Sequence, residues 1–237
     1  MIGRLSNRLR AFVRDERGIS LMELLVAMTV TTIILVAIGG FVTAAIKGSA
    51  VNVTADLNAR QASTAMTSLT RYLHVATTLP RNGQVLPDPA FVAASSTDIT
   101  FYTYVNLSST DEQPIRVRFY QDPTTKGLVQ SVTTSTYDAT SGYYSFPAGA
   151  ASTNTTLTGP IATPTSDSLP LFSFQQLSGA DVDSSTGGVV PAASLGTINS
   201  VVVNLEVGST TAGASGNAHD QTTVYLLNIG QGAPSTP

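Results

Sequence analysis

The chain is 237 residues long, room for one compact domain of ordinary size beside a membrane segment and a leader. Charged residues make up 11% of it, against roughly 25% in an average soluble protein, and Ser, Thr, Ala and Gly take their place, so the surface is solvated by hydroxyls. The absence of Cys excludes a disulfide framework and a thiolate metal site, and a net charge of −3 gives no basic footprint for general nucleic-acid binding.

That charge is unevenly held. Residues 1–18 carry Arg4, Arg8, Arg10, Arg14 and Arg17 against Asp15 and Glu16, a net +3 that leaves −6 on residues 19–237 of the chain's −3. Arginines before a membrane span stay on the cytoplasmic side, so the expected orientation is N-terminus in and C-terminal domain out. Between Arg17 and Lys47 the only charged residue is Glu23, and residues 24–46 hold none, enough for the ~20 residues that cross a bilayer as a helix. A secretory signal cut after Gly48-Ser49-Ala50 is one competing reading, but its apolar region would far exceed the roughly 7–15 residues such signals use. A plain signal anchor with an incidental Glu is another.

The run Gly18-Ile19-Ser20-Leu21-Met22-Glu23, followed by an uninterrupted apolar segment, resembles the class III signal of type IV pilins and type II secretion pseudopilins: Gly, a hydrophobic residue, Glu at the fifth mature position, then an apolar helix. The resemblance implies that a prepilin peptidase removes residues 1–18, that cleavage between Gly18 and Ile19 leaves an N-methylated Ile19 as the mature N-terminus, and that Glu23 serves subunit assembly. The partners it implies are other pilins or pseudopilins in a filament, an inner-membrane assembly platform and membrane lipid; no cofactor or metal is implied.

Glu23 has a physical claim to that role as well, because an ionisable residue inside a membrane segment is costly unless paired or turned from lipid. Cleavage would create a new positive charge, the α-amino group of Ile19. Residues 19 and 23 are four apart, on one face of a helix, so an amine–carboxylate contact within one subunit is open to them; in a filament the same carboxylate could meet the amine of a neighbour, as the resemblance implies. Either pairing offsets desolvation, but only the second fixes axial register. Gly39 and Gly40 fall mid-span, where the helix is weakened or where small residues let helices approach.

After Lys47 the helix changes character. Ala62, Ala65, Met66, Leu69, Tyr72, Leu73 and Ala76 form the apolar stripe of an amphipathic helix, with Gln61, Ser63, Thr67, Thr70, Arg71 and His74 opposite. Pro80 is expected to end it. The expected organisation is a leader at 1–18, a transmembrane and assembly helix at 19–46, and an exported domain at 47–237 that includes the amphipathic helix at 50–79.

Downstream the period is two. Ile99, Phe101, Thr103 and Val105 alternate with Thr100, Tyr102, Tyr104 and Asn106, and Ile115, Val117 and Phe119 with Arg116, Arg118 and Tyr120, which predicts a hairpin across the polar segment 108–114. A third strand is expected at 128–134 after a turn at 122–127. Residues 138–168, rich in Ser, Thr, Ala, Gly and Pro, read as a long surface loop. Strands are expected again at 171–177, 198–207 and 222–229, the last two pairing across a Gly/Ser/Ala-rich loop. One long helix covering an antiparallel sheet is an α+β architecture, similar in its order of elements to the J-type minor pseudopilins and the large minor pilins.

No catalytic constellation accompanies it, so an enzyme is not expected. His74 reads as a solvated helix residue and His219 as a solvated loop residue beside Asp220, while residues 181–187, with Asp181 and Asp183, are faintly like a calcium loop but lack its distal bidentate Glu and read as an Asp-held turn. The triplets at Asn52, Asn106 and Asn154 are frequent by chance in such a composition. The reading these features support is a minor pilin or minor pseudopilin that initiates or caps a filament, minor because the exported domain is large, carries long loops and has no disulfide near its end. The alternative is a signal-anchored extracytoplasmic binding or adhesion module.

Overall fold

A computed structural model describes residues 20–104, 113–163, 169–182 and 188–229. The chain divides into two compact units, Met1–Ala50 and Val51–Pro237. The 54-residue helix α1, Leu21–His74, supplies the described helical residues of the first unit and the opening helix of the second; an average globular helix has roughly 11–12 residues. In the first unit every described residue is exposed.

In the second unit the stripe read from the sequence is the buried one: Ala62, Ala65, Met66, Leu69, Tyr72 and Leu73 are buried, and the core they enter belongs to two antiparallel sheets. The strands in chain order are β1 Phe91–Ala94, β2 Asp98–Thr103, β3 Ile115–Gln121, β4 Gly127–Thr134, β5 Thr136–Asp138, β6 Tyr143–Ser145, β7 Ser152–Pro160, β8 Phe172–Gln175, β9 Ser200–Val207 and β10 Ala218–Tyr225. Five of them make a sheet in the order β1-β2-β3-β4-β7, three a sheet in the order β10-β9-β8, and β5 and β6 a separate two-stranded ribbon. The architecture is α+β, with one long helix against antiparallel sheets.

Period-two patterning does the sorting. Ile115, Val117 and Phe119 are buried while Arg116, Arg118 and Tyr120 are not, and Val201, Val203, Leu205 and Val207 repeat the alternation on β9. A line of rings crosses the core from the helix through one sheet to the other: Tyr72 to Phe119 at 6.0 Å, Phe119 to Phe101 at 6.2 Å, Phe101 to Phe91 at 5.7 Å and Phe91 to Phe174 at 6.2 Å, within the usual range for favourable aromatic pairs. Polar bonds flank it. Ser68 Oγ pairs with Gln130 Oε1 at 3.0 Å, and the Gly159 N–H donates to Gln61 Oε1 at 2.9 Å, tying α1 to β4 and β7. Connecting segments bond to both sheets as well, Ala162 N–H to Glu206 O on β9 and Val190 N–H to Ala94 O on β1, each 2.9 Å.

Three expectations need correction. The helix stops at His74 rather than at 79, because sheet groups capture the backbone first: Thr103 Oγ1 donates to Val75 O at 3.0 Å and Thr77 N–H to Tyr102 O at 3.0 Å. The run Val75-Ala76-Thr77-Thr78, rich in β-branched residues, offers little helical resistance. Residues 138–168 are not one loop, since they hold β6 and the nine-residue β7, which pairs with β4. Its Ser, Thr and Asn residues at 152–156 are exposed, so no apolar alternation marked it. The last strand lies at 218–225 rather than 222–229, which puts His219 on β10 and not in a loop. The pairing of β9 with β10 and of β2 with β3 is as expected; Val105, Asn106 and residues 108–112 lie outside the described residues.

Candidate assembly and processing site

The residues that would be processed, Gly18 and Ile19, lie outside the described residues, and Glu23 opens the visible part of the site. Ser20 immediately precedes the helix, and its carbonyl accepts the N–H groups of Glu23 at 2.9 Å and Leu24 at 3.0 Å. Ser20-Leu21-Met22-Glu23 therefore has the spacing of a capping box, Ser before the helix and Glu at its third position, a helix-start signal carried by the sequence itself.

Glu23 lies in the first turn of the helix, where the unpaired N–H groups favour a negative charge by about 0.3–1 kcal/mol. That is small against the several kcal/mol of carrying a carboxylate into lipid. The helix start therefore offsets only part of the cost of an acid at the mouth of an apolar span.

From Ser20 to Thr54 every residue is exposed, and Leu24, Leu25, Ile33, Leu35, Val36, Phe41 and Ile46 are among the large apolar side chains with nothing of this chain over them. A contiguous apolar surface on this scale marks a site covered by lipid or by other proteins, and by length and composition the helix can cross a membrane. The hydroxyls within it are already satisfied. Thr29, Thr31, Thr32 and Thr43 donate Oγ1–H to the carbonyls of Val26, Ala27, Met28 and Gly39 at 2.7–2.8 Å, as groups in a hydrocarbon environment must. A methyl group added at Gly39 or Gly40 would meet no other atom of this chain within 4 Å, so contacts inside this chain do not require either glycine.

Elsewhere the candidate sites are structural. Asp181 bridges to Gln175, whose side-chain amide approaches its Oδ1 at 3.5 Å, and residues 183–187 of the calcium-like stretch lie outside the described residues. Among the described residues no group of three or more His, Asp or Glu side chains is placed to hold a metal ion. His74 is exposed at the end of α1, and His219 on β10 pairs through Nε2 with the side-chain oxygen of Asn204 on β9.

Residues 13–39, a span that contains Gly18, Ile19 and Glu23, match the family model described as the prokaryotic N-terminal methylation motif. The chain thus carries the prepilin motif of type IV pilins and pseudopilins. No curated protein matches the chain.

Proposed function

We propose that this chain is a minor pilin or minor pseudopilin, cleaved between Gly18 and Ile19, N-methylated at Ile19, held in the inner membrane by the first part of α1 with residues 47–237 outside, and then incorporated into a type IV pilus-like or secretion filament. The observation that carries the reading is the single carboxylate, Glu23, at the start of a helix whose next thirty-odd residues are exposed and overwhelmingly apolar, inside a methylation motif. Lipid covers such a helix before assembly and neighbouring subunits cover it afterwards; Glu23 then meets the α-amino group of a neighbour's residue 19. The prepilin peptidase, an assembly platform and other pilins are the partners this requires. The subunit's work is mechanical, and no catalytic step is assigned to it.

The test separates processing from assembly. N-terminal mass spectrometry of the membrane fraction is expected to find a methylated chain starting at Ile19, and Gly18→Val to leave the leader attached; a mature start at Val51 or an uncut Met1 overturns the assignment. Glu23→Val is expected to insert, to be cleaved and to leave residues 51–237 folded, yet to be missing from sheared surface fibres. The incoming amine is then buried without its counter-charge, a loss of about 3–5 kcal/mol for a broken buried pair. If Glu23 only caps the helix, the loss is at most about 1 kcal/mol and the variant assembles normally, which returns the chain to the signal-anchored module.

A further inference from the structure

The β5–β6 ribbon, which the sequence hides in a Ser/Thr-rich stretch, gathers rings. Three of the chain's eight tyrosines, Tyr137, Tyr143 and Tyr144, lie on it and Phe146 follows directly. Tyr137 and Tyr144 pack at 5.1 Å, Phe146 stacks on the buried Tyr102 at 5.3 Å and 24°, and the Arg116 guanidinium lies over Phe146 at 5.2 Å. Between this ribbon and the segment that leaves α1 is a cavity of about 290 Å³ whose lining includes Arg81, Asn82, Asp138, Tyr143, Tyr144 and Phe146. It is near the lower end of the roughly 300–1,000 Å³ of small-molecule sites.

The polar groups of that cavity are held in place and balanced. Arg81 is anchored to Asp88 at 2.6 Å and donates to the Tyr102 hydroxyl, so its charge is already met. Asp138 accepts from Ser141 Oγ at 2.8 Å and from Thr140 N–H at 2.9 Å, which holds its carboxyl below the usual range and keeps it an acceptor at neutral pH. The lining carries one cation and one anion, and so no net charge. An anionic ligand meets Asp138 and a guanidinium that is already paired. A purely apolar one offers nothing to the Asn82 amide or to the remaining lone pairs of Asp138.

A ligand that suits all of these groups has an apolar face for a ring to cover and an edge of hydroxyls that both donate and accept. We propose that the cavity between the β5–β6 ribbon and residues 79–82 is a subsite for one neutral sugar ring, stacked on Tyr143, with hydroxyls donating to Asp138 and accepting from Arg81 and Asn82. This goes beyond filament assembly: the ribbon belongs to the unit at Val51–Pro237, and only the reading of the sugar as one residue of a glycan outside the cell rests on the proposed topology.

The test uses the full chain in detergent micelles and saturation-transfer NMR with the methyl glycosides of glucose, galactose, mannose and N-acetylglucosamine, with methyl glucuronide and cyclohexanol as anionic and apolar controls. At least one neutral glycoside is expected to receive saturation on its ring protons, and a trisaccharide ending in that sugar to bind no more than a few-fold tighter, as one ring fills the site. Tyr143→Ala and Asn82→Ala are each expected to weaken binding at least fivefold with unchanged thermal melting, while Tyr143→Phe retains it. Should Tyr143→Ala unfold the unit, Asn82→Ala and Tyr143→Phe decide. No transfer to any neutral glycoside, transfer indifferent to the Asn82 and Tyr143 variants, or stronger binding of the glucuronide or cyclohexanol overturns the assignment.

Discussion

Gly208, at the end of β9, has φ +137, and a Cβ there would lie 2.6 Å from Asn58 Nδ2 and 2.8 Å from Asn217 Oδ1. Those two side chains fasten the β9–β10 loop, Asn58 donating to Gly216 O at 2.8 Å and Asn217 to Glu206 Oε1 at 2.6 Å. Gly208→Ala therefore meets both steric and conformational resistance, and is expected to destabilise the unit at Val51–Pro237 by roughly 1–3 kcal/mol, read as a lower melting temperature. Gly39→Ala has the opposite sign. With open space around it, it is expected to strengthen the helix by up to about 1 kcal/mol, so any assembly defect it causes reports on contacts between subunits. At the 122–127 turn, Asp122 Oδ1 accepts from Thr125 N–H at 2.6 Å and Thr124 N–H at 2.9 Å, and these bonds lower its pKa. A lowered folded value means stability that is present above the ordinary carboxylate pKa of about 4 and is lost as pH falls through the folded value. Melting curves of Asp122→Asn against the parent are expected to differ at pH 6 and to converge in acid. Of these residues the Asp-Pro-Thr-Thr-Lys-Gly turn was legible in the sequence; the need for Gly at 208 was not, because it depends on Asn58, which lies 150 positions earlier in the chain.

The helix and the central strands announced themselves because one of their faces is apolar and the other is not. Leu69 and Leu73 are fully buried, and truncating either to Ala is expected to cost about 2–5 kcal/mol, checked by denaturant unfolding, whereas Thr67→Ala on the opposite face changes stability little. β7 was illegible for the converse reason. Its Ser152-Thr153-Asn154-Thr155-Thr156 stretch is exposed, so its place in the sheet comes from the backbone ladder with β4, which leaves no mark on hydropathy. β1, four residues long, falls below any periodic signal. Its Phe91 joins the line of rings that links the two sheets, a long-range contact that local pattern does not encode. The methylation motif was legible almost entirely, since it is defined by spacing along one segment, residues 13–39; the aromatic cavity was not, since its lining is drawn from residues 79–82 and 138–146.

At the scale of the molecule the apolar burden is concentrated in the first unit. A chain beginning at Val51 is expected to be soluble without detergent and to melt cooperatively, because its core, from Ala62 to Leu226, lies wholly within the second unit, Val51–Pro237; the full chain is expected to require detergent or lipid. Sedimentation of both species checks it, and precipitation of the shorter chain argues that the core needs the residues removed.

The four threonines whose hydroxyls return to their own helix make the anchor insensitive to its surroundings. Each spends its hydrogen-bonding capacity locally, so passage from acyl chains to a protein neighbourhood breaks none of these bonds and leaves none unmade. On the proposed assembly, the transfer is close to an exchange of one hydrocarbon contact for another, with the proposed ion pair of Glu23 as its main polar event, and the path out of the bilayer is as open in reverse.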